Sequence, residues 1–291
     1  MQTGTPPAPV PLVRRHASFG RMGIDHYENF PVASWLVPAR LRGPIHEIYR
    51  FARHADDIAD EGDAPAAERL AQLAALHAEL DRIAGGSYPA GARWSGLATV
   101  TRAHDLPVAL LHDLLRAFEQ DARGTTYPDY DTLLDYCSRS ANPIGRLLLA
   151  LYRRAEPELL RASDAVCTGL QLVNFWQDVD IDWAKGRVYV PQSELERYGV
   201  DRDQIAQRRA DGAWTRLLAA QTQRASSLLR EGAPLARALG GRIGWELRMV
   251  VQGGLRIAER IDAVGGDVFH RRPRLEARDW VLMAARAAVM P

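Results

Sequence analysis

The chain has 291 residues, with 37 basic side chains against 36 acidic ones and a formal net charge of +1. That balance lacks the basic excess that marks a nucleic-acid partner. A composition of 47% hydrophobic and 25% charged residues excludes wholesale disorder, and Lys185 is the one lysine.

At the N-terminus Pro6, Pro7, Pro9 and Pro11 predict a short disordered arm over residues 1–13, without the charged-then-apolar profile of a signal peptide. A helix is expected from about Pro44 to Glu61, stopped by Gly62. Asp63 then looks like the N-cap of a second helix that ends before Gly85-Gly86. Further helices are expected at about Pro107–Asp121, Asp131–Arg153, Glu158–Lys185, Trp214–Arg230, Arg242–Val264 and Leu275–Val289, with Pro143 kinking or breaking the second of these. The best strand signal is Arg187 to Val190, closed by Pro191. No glycine-rich phosphate loop follows a predicted strand. Residues 14–291 therefore read as one all-α domain of roughly ten helices.

No stretch approaches the ~18–20 uninterrupted apolar residues of a membrane span. The expectation is a soluble, cytoplasmic protein with at most peripheral contact at the inner membrane. Cys137 and Cys167 have neither disulfide-framework nor metal-ligand spacing and read as small buried hydrophobes.

The first expected helix carries Tyr49, Arg53, Asp56 and Asp60. At 100° per residue the last three lie within about 40° of Tyr49. Ile45, Ile48, Ala52, Ala55 and Ala59 supply an apolar face beside that stripe. An i,i+4 pair of like charges destabilises a helix by a few tenths of a kcal/mol, so a positive group is expected between Asp56 and Asp60. A second cluster sits on the Glu158–Lys185 helix, where Asn174, Asp178 and Asp182 step at i, i+4 and i+8, with Gln171 one turn before them. Asp180 points elsewhere, and Lys185, Arg187 and Tyr189 follow directly. One acidic pair alone is most simply a solvated face. Two pairs flanked by large apolar residues point further, to divalent cations shared between carboxylates and a substrate diphosphate. Such ions take up leaving-group charge while apolar walls shelter a carbocation.

Three motifs then resemble the squalene/phytoene synthase family over about His26 to Arg260. They are Tyr49-x-Phe51-x-Arg53 leading into Asp56-Asp57-x-x-Asp60, Tyr136-Cys137 with Ala141 and Ile144-Gly145, and Gln171-x-x-Asn174-x-x-x-Asp178-x-x-x-Asp182 ending in Arg187-x-Tyr189-x-Pro191. The resemblance implies an isoprenoid-synthase-type helical bundle with a central cavity. It implies two or three magnesium ions held by Asp56, Asp60, Asn174, Asp178 and Asp182. It also implies a prenyl diphosphate bound or capped by Phe30, Tyr49, Arg53, Gln171, Asn174, Arg187 and Tyr189.

Departures from the family pattern narrow the substrate. Tyr27-Glu28-Asn29-Phe30 stands where a Ser-x-Ser-Phe run usually binds a diphosphate, and its glutamate should repel one. Ser140-Ala141-Asn142-Pro143 replaces an apolar stretch, and Gln177 replaces an arginine. The runs His26 to Ser34 and Asn174 to Asp178 are similar to the bacterial hydroxysqualene synthases of hopanoid pathways. That subgroup ionises presqualene diphosphate, rearranges the cation and captures it with water, without a nicotinamide. Ser140 or Asn142 is then a candidate to position the water, the alternative being that Asn142 shapes the turn before Pro143. Tyr49, Arg53 and Tyr189 complete the catalytic set.

Two other functions stay open. One is head-to-head joining of two farnesyl or geranylgeranyl diphosphates to presqualene diphosphate, dehydrosqualene or phytoene. The other is a non-catalytic assembly factor, which would be expected to lose its metal aspartates. Pathway enzymes are expected partners, and oligomeric state is not legible. His26 is a candidate substrate contact, while His46 and His54 read as surface or structural. Trp35 and Trp176 are candidate cavity walls, and Arg271-Arg272-Pro273-Arg274 reads as a solvated connector.

Overall fold

The computed structural model describes residues 37–290, so the expectations on the N-terminal arm, His26, the Tyr27 to Phe30 run and Trp35 lie outside the described residues. Among them there are fourteen helices and no strand, which bears out the all-α expectation with more and shorter helices than predicted.

The first helix, α1 (Ala39–Asp60), starts a turn and a half upstream of Pro44, with Pro38 at its N-cap. Leu41 is buried there, and that packing carries the helix past a proline whose ring removes the bond to the Arg40 carbonyl. The next, α2 (Ala66–Ala84), is capped by Pro65 rather than Asp63. The intervening turn is tied by Arg69, which donates to the carbonyls of Ile58, Gly62 and Ala64, so an Asp63 cap is not needed. Then come α3 (Ser95–His104), absent from the sequence reading, and α4 (Val108–Arg123).

Pro143 divides its predicted helix into α5 (Tyr130–Ser140) and α6 (Asn142–Leu151). The predicted Glu158–Lys185 helix is likewise two, α7 (Pro157–Gln177) and α8 (Val179–Ala184), broken at Asp178. The segment from Arg187 to Val190 is irregular rather than a strand. The chain ends with α9 (Gln192–Tyr198), α10 (Arg202–Ala206), α11 (Gly212–Gly232), α12 (Pro234–Leu239), α13 (Gly241–Ala263) and α14 (Ala277–Val289). No helix among the described residues is long and apolar enough to cross a membrane.

Two apolar clusters form the core. One joins α1 to α4 and takes Leu147 and Leu151 from α6; the other surrounds α7, α11 and α13 and takes Leu149 from α6. Helix α6 thus buries opposite faces in different clusters. The two acidic segments sit on either side of that seam, on α1 and on α7–α8. Close packing fixes α7 in place. At Gly232 of α11 a Cβ would lie 2.4 Å from the Ala162 carbonyl oxygen and 2.9 Å from the Val166 nitrogen. Both are backbone atoms of α7, so only glycine allows this approach.

Candidate active site

Helix α1 ends on Asp56, Asp57 and Asp60, with no basic residue in its last turn. The partial negative charge at a helix C-terminus disfavours carboxylates there, so compensation must come from elsewhere. Arg53 supplies some of it, at 3.2 Å from Asp56 and 2.9 Å from Asp57. The rest crosses the seam: Lys185 Nζ lies 3.0 Å from Asp60 Oδ2, and Arg187 donates to Asp60 Oδ1. Gly186 makes this double contact possible, because its φ of +77° turns the chain sharply between the two cations.

The break at Asp178 preserves the predicted spacing. Asp178 N–H donates to the Asn174 carbonyl and Asp182 N–H to the Asp178 carbonyl, both at 2.9 Å, so Asn174, Asp178 and Asp182 keep helical i,i+4 steps across it. Arg272 grips Asp178 with two bonds of 2.6 and 3.0 Å, and the buried Gln177 amide donates to the Pro273 carbonyl at 2.6 Å. The arginine cluster before α14 is therefore not simply a solvated connector: Arg272 is committed to the second acidic segment. Asp180 pairs with Arg208 instead, on a different side as expected.

Burial, with the charge of Asp60 next, raises the Asp56 carboxyl to about 6, and burial with the charge of Asp178 raises Asp182 to about 7. Burial also pushes Asp60 up, but the hydrogen bonds and charges of Arg187 and Lys185 outweigh it and hold Asp60 below the usual carboxylate range. The charge of Asp60 acts on Asp56, on Asp182 and on a further acid, Asp121. The structure thus brings the two aspartate segments into one electrostatic field.

Asp121 escaped the sequence reading. It lies in the last turn of α4 and accepts the hydroxyls of Tyr136 at 2.7 Å and Tyr189 at 3.1 Å. Burial raises it to about 6. Its one signal was a carboxylate at a helix C-terminus, where the dipole disfavours it. Tyr189 is buried and stacks on Phe175 with ring centroids 3.7 Å apart, which holds its hydroxyl on Asp121, beside Arg187.

Tyr49 lies on α1 below Arg53 and lines an apolar cavity between α1, α6 and α13. Gln171 and Asn174 lie partly buried on the last turns of α7. Of the two candidate water-positioning groups, Asn142 accepts a bond of 2.9 Å from the Thr168 hydroxyl of α7, and the Ser140 hydroxyl is buried with no hydrogen-bond partner. Trp176 is fully buried, His46 is exposed, and His54 faces Arg93 at 3.0 Å. Both cysteines are free and buried.

Among the described residues, no group of three or more Asp, Glu, His or Cys side chains is arranged to hold a metal ion. The donor chemistry nevertheless fits magnesium. The donors are hard oxygens, and Asp56 and Asp182 are carboxyls whose ionisation is opposed by burial and by like charges, a cost that a divalent cation removes.

The squalene/phytoene synthase family model matches residues 25–279. A hydroxysqualene synthase from Rhodopseudomonas palustris is 35% identical over 237 residues, 80% of each chain. One from Zymomonas mobilis is 32% identical over 227 residues, 77% of this chain and 75% of that one. Among solved structures, a squalene synthase HpnC from Alicyclobacillus acidocaldarius superposes with a TM-score of 0.76 at 38% identity, covering 82% of this chain and 90% of the other.

Proposed function

The chain belongs to the squalene/phytoene synthase family, and on that premise we propose that it converts presqualene diphosphate to hydroxysqualene. The family acts on prenyl diphosphates and typically uses magnesium. The observation that carries the proposal is one concentrated cationic edge, Lys185 and Arg187 with Arg53 across the seam, facing the carboxylates and continuous through Tyr49 with an apolar cavity. Among the described residues there is one such edge, which suits a substrate with one diphosphate. The names of the two similar bacterial enzymes point the same way.

In this reading Asp56, Asp60, Asn174, Asp178 and Asp182 hold magnesium, which when bound takes up charge on the departing diphosphate. Arg53, Lys185 and Arg187 bind the diphosphate oxygens. Lys185 and Arg187 exchange Asp60 for the substrate as they do so, leaving that carboxylate to the metal. Tyr189, held by Asp121 and Phe175, orients its hydroxyl at the same edge. Tyr49 marks the border where charge ends and hydrocarbon begins. The cavity is about 90 Å³, too little for a thirty-carbon chain, so its walls must part on binding. Gln171 completes the substrate contacts, together with Phe30, which lies outside the described residues.

The decisive test incubates purified protein and magnesium, without a nicotinamide, with presqualene diphosphate or with farnesyl or geranylgeranyl diphosphate. Hydroxysqualene from the first and no product from the others is expected. Presqualene diphosphate, dehydrosqualene or phytoene as the main product would overturn the proposal in favour of head-to-head condensation.

A further inference from the structure

Five large hydrophobic side chains stand exposed among the described residues, and four of them belong to the last two helices: Trp245 on α13, and Trp280, Val281 and Val289 on α14. Scattered exposed hydrophobics are ordinary, whereas a contiguous patch marks a surface that something else covers. Helix α14 carries such a patch. It turns Asp279, Met283 and Ala287 inward. Its outward half, about 180° of the helical wheel, holds Trp280, Val281 and Val289 with Ala277, Ala285 and Ala288, all of them exposed. Arg278 is the one charge in that half. Helix α13 runs antiparallel beside it, with Arg256 bonded to Asp279 and Arg248 to the Ala287 carbonyl. Trp245, one turn before Arg248, therefore lies towards the C-terminal end of α14.

The charge around this face has one sign. Residues 271–291 contain five arginines and two acids. Both acids are matched by arginines: Asp279, 1% exposed, pairs with Arg256 and Arg260, and Glu276 pairs with Arg260 and Arg278. Arg271 and Arg274 are exposed in the segment that leads into α14. A chain that is nearly neutral as a whole thus ends in an apolar face beside excess positive charge. A second copy docked on the same face would bring two positive surfaces together. A bilayer with anionic headgroups is complementary to both features, because tryptophan and aliphatic groups enter its interface and arginines meet its phosphates.

We propose that the outward face of α14 docks the protein on the surface of a membrane containing anionic lipid. Trp280, Val281 and Val289 enter the interface, and Arg271, Arg274 and Arg278 meet the headgroups. The helix lies flat and does not cross, in keeping with the absence of any spanning helix among the described residues. The family acts on prenyl diphosphates, whose hydrocarbon chains dissolve in such a bilayer. Docking needs no substrate, so it stands or falls separately from the presqualene diphosphate reading.

The test is sedimentation of the full chain with vesicles, either of phosphatidylcholine alone or with about one-quarter phosphatidylglycerol. Wild type should bind the mixed vesicles at least about fivefold more tightly than the neutral ones. The variant Trp280→Ser, Val281→Ser, Val289→Ser should bind the mixed vesicles at least about tenfold more weakly than wild type. All three side chains are exposed, so its melting temperature should stay within about 2 °C of wild type. Should the triple variant fail to fold, Trp280→Ser alone carries the same test with a smaller loss. Arg271→Gln, Arg274→Gln, Arg278→Gln together should erase the preference for phosphatidylglycerol. Wild type that binds neither vesicle, or both equally, overturns the proposal, as does a serine variant that binds as well as wild type. A wild-type dimer in sedimentation velocity that the serine variant dissolves would overturn it in favour of a second copy on this face.

Discussion

At the scale of single residues, the site is held in a state its own stability disfavours. Asp182 is raised from 3.8 to about 7, by burial first and the charge of Asp178 second. A folded carboxyl that binds its proton more tightly than the unfolded one makes stability fall as pH rises between those values. The full cost therefore stands above pH 7. Asp182→Asn removes the charge, so without magnesium its melting temperature at pH 8 should exceed that of wild type by roughly 2–4 °C. At pH 4 the two should converge, and the rise that magnesium gives wild type should shrink in the variant. Equal melting temperatures at pH 8 would mean that Asp182 is solvated and unstrained. The acids that step along a helix were legible in the sequence, because i,i+4 geometry is local. Their compensating partners were not: Arg272 grips an aspartate 94 residues away, and Arg187 one 127 residues away, and no periodicity encodes such pairings.

At the scale of elements, helix pattern gave most of the long segments correctly and missed the short ones. Helices α9, α10 and α12, of seven, five and six residues, are too short to show an apolar stripe. The break at Asp178 also left no mark, because neither proline nor glycine causes it and the clamp on Gln177 and Asp178 comes from the segment before α14. The Ser140 to Pro143 break, by contrast, was announced by its proline. How tightly α7 is positioned depends on Gly232, which no pattern singles out. Gly232→Ala forces a methyl against two α7 backbone atoms and should cost about 1–3 kcal/mol in chemical denaturation. Because α7 carries Gln171 and Asn174, affinity for substrate should weaken with it. A variant as stable as wild type would show that α11 can retreat without cost.

At the scale of the whole molecule, near-neutrality hides a division of labour between two apolar clusters that meet at α6. The acids of α1 belong to one side and those of α7–α8 to the other. Ion pairs from Lys185 and Arg187 to Asp60 link the sides at one edge of the seam. Among 37 basic residues a single one is lysine, and it is the one that spans this seam, with its side chain 44% exposed. The protein therefore carries one side-chain amine for an acylating reagent to find. Mass spectrometry after limited treatment with an activated ester should locate one side-chain adduct, at Lys185. Magnesium with inorganic diphosphate should slow its appearance several-fold, and equal labelling with and without them would argue against a diphosphate at that amine. A compositional accident of an arginine-rich chain thus leaves a chemical handle at this seam, one suited to attaching a fluorophore or a solid support without engineering any residue.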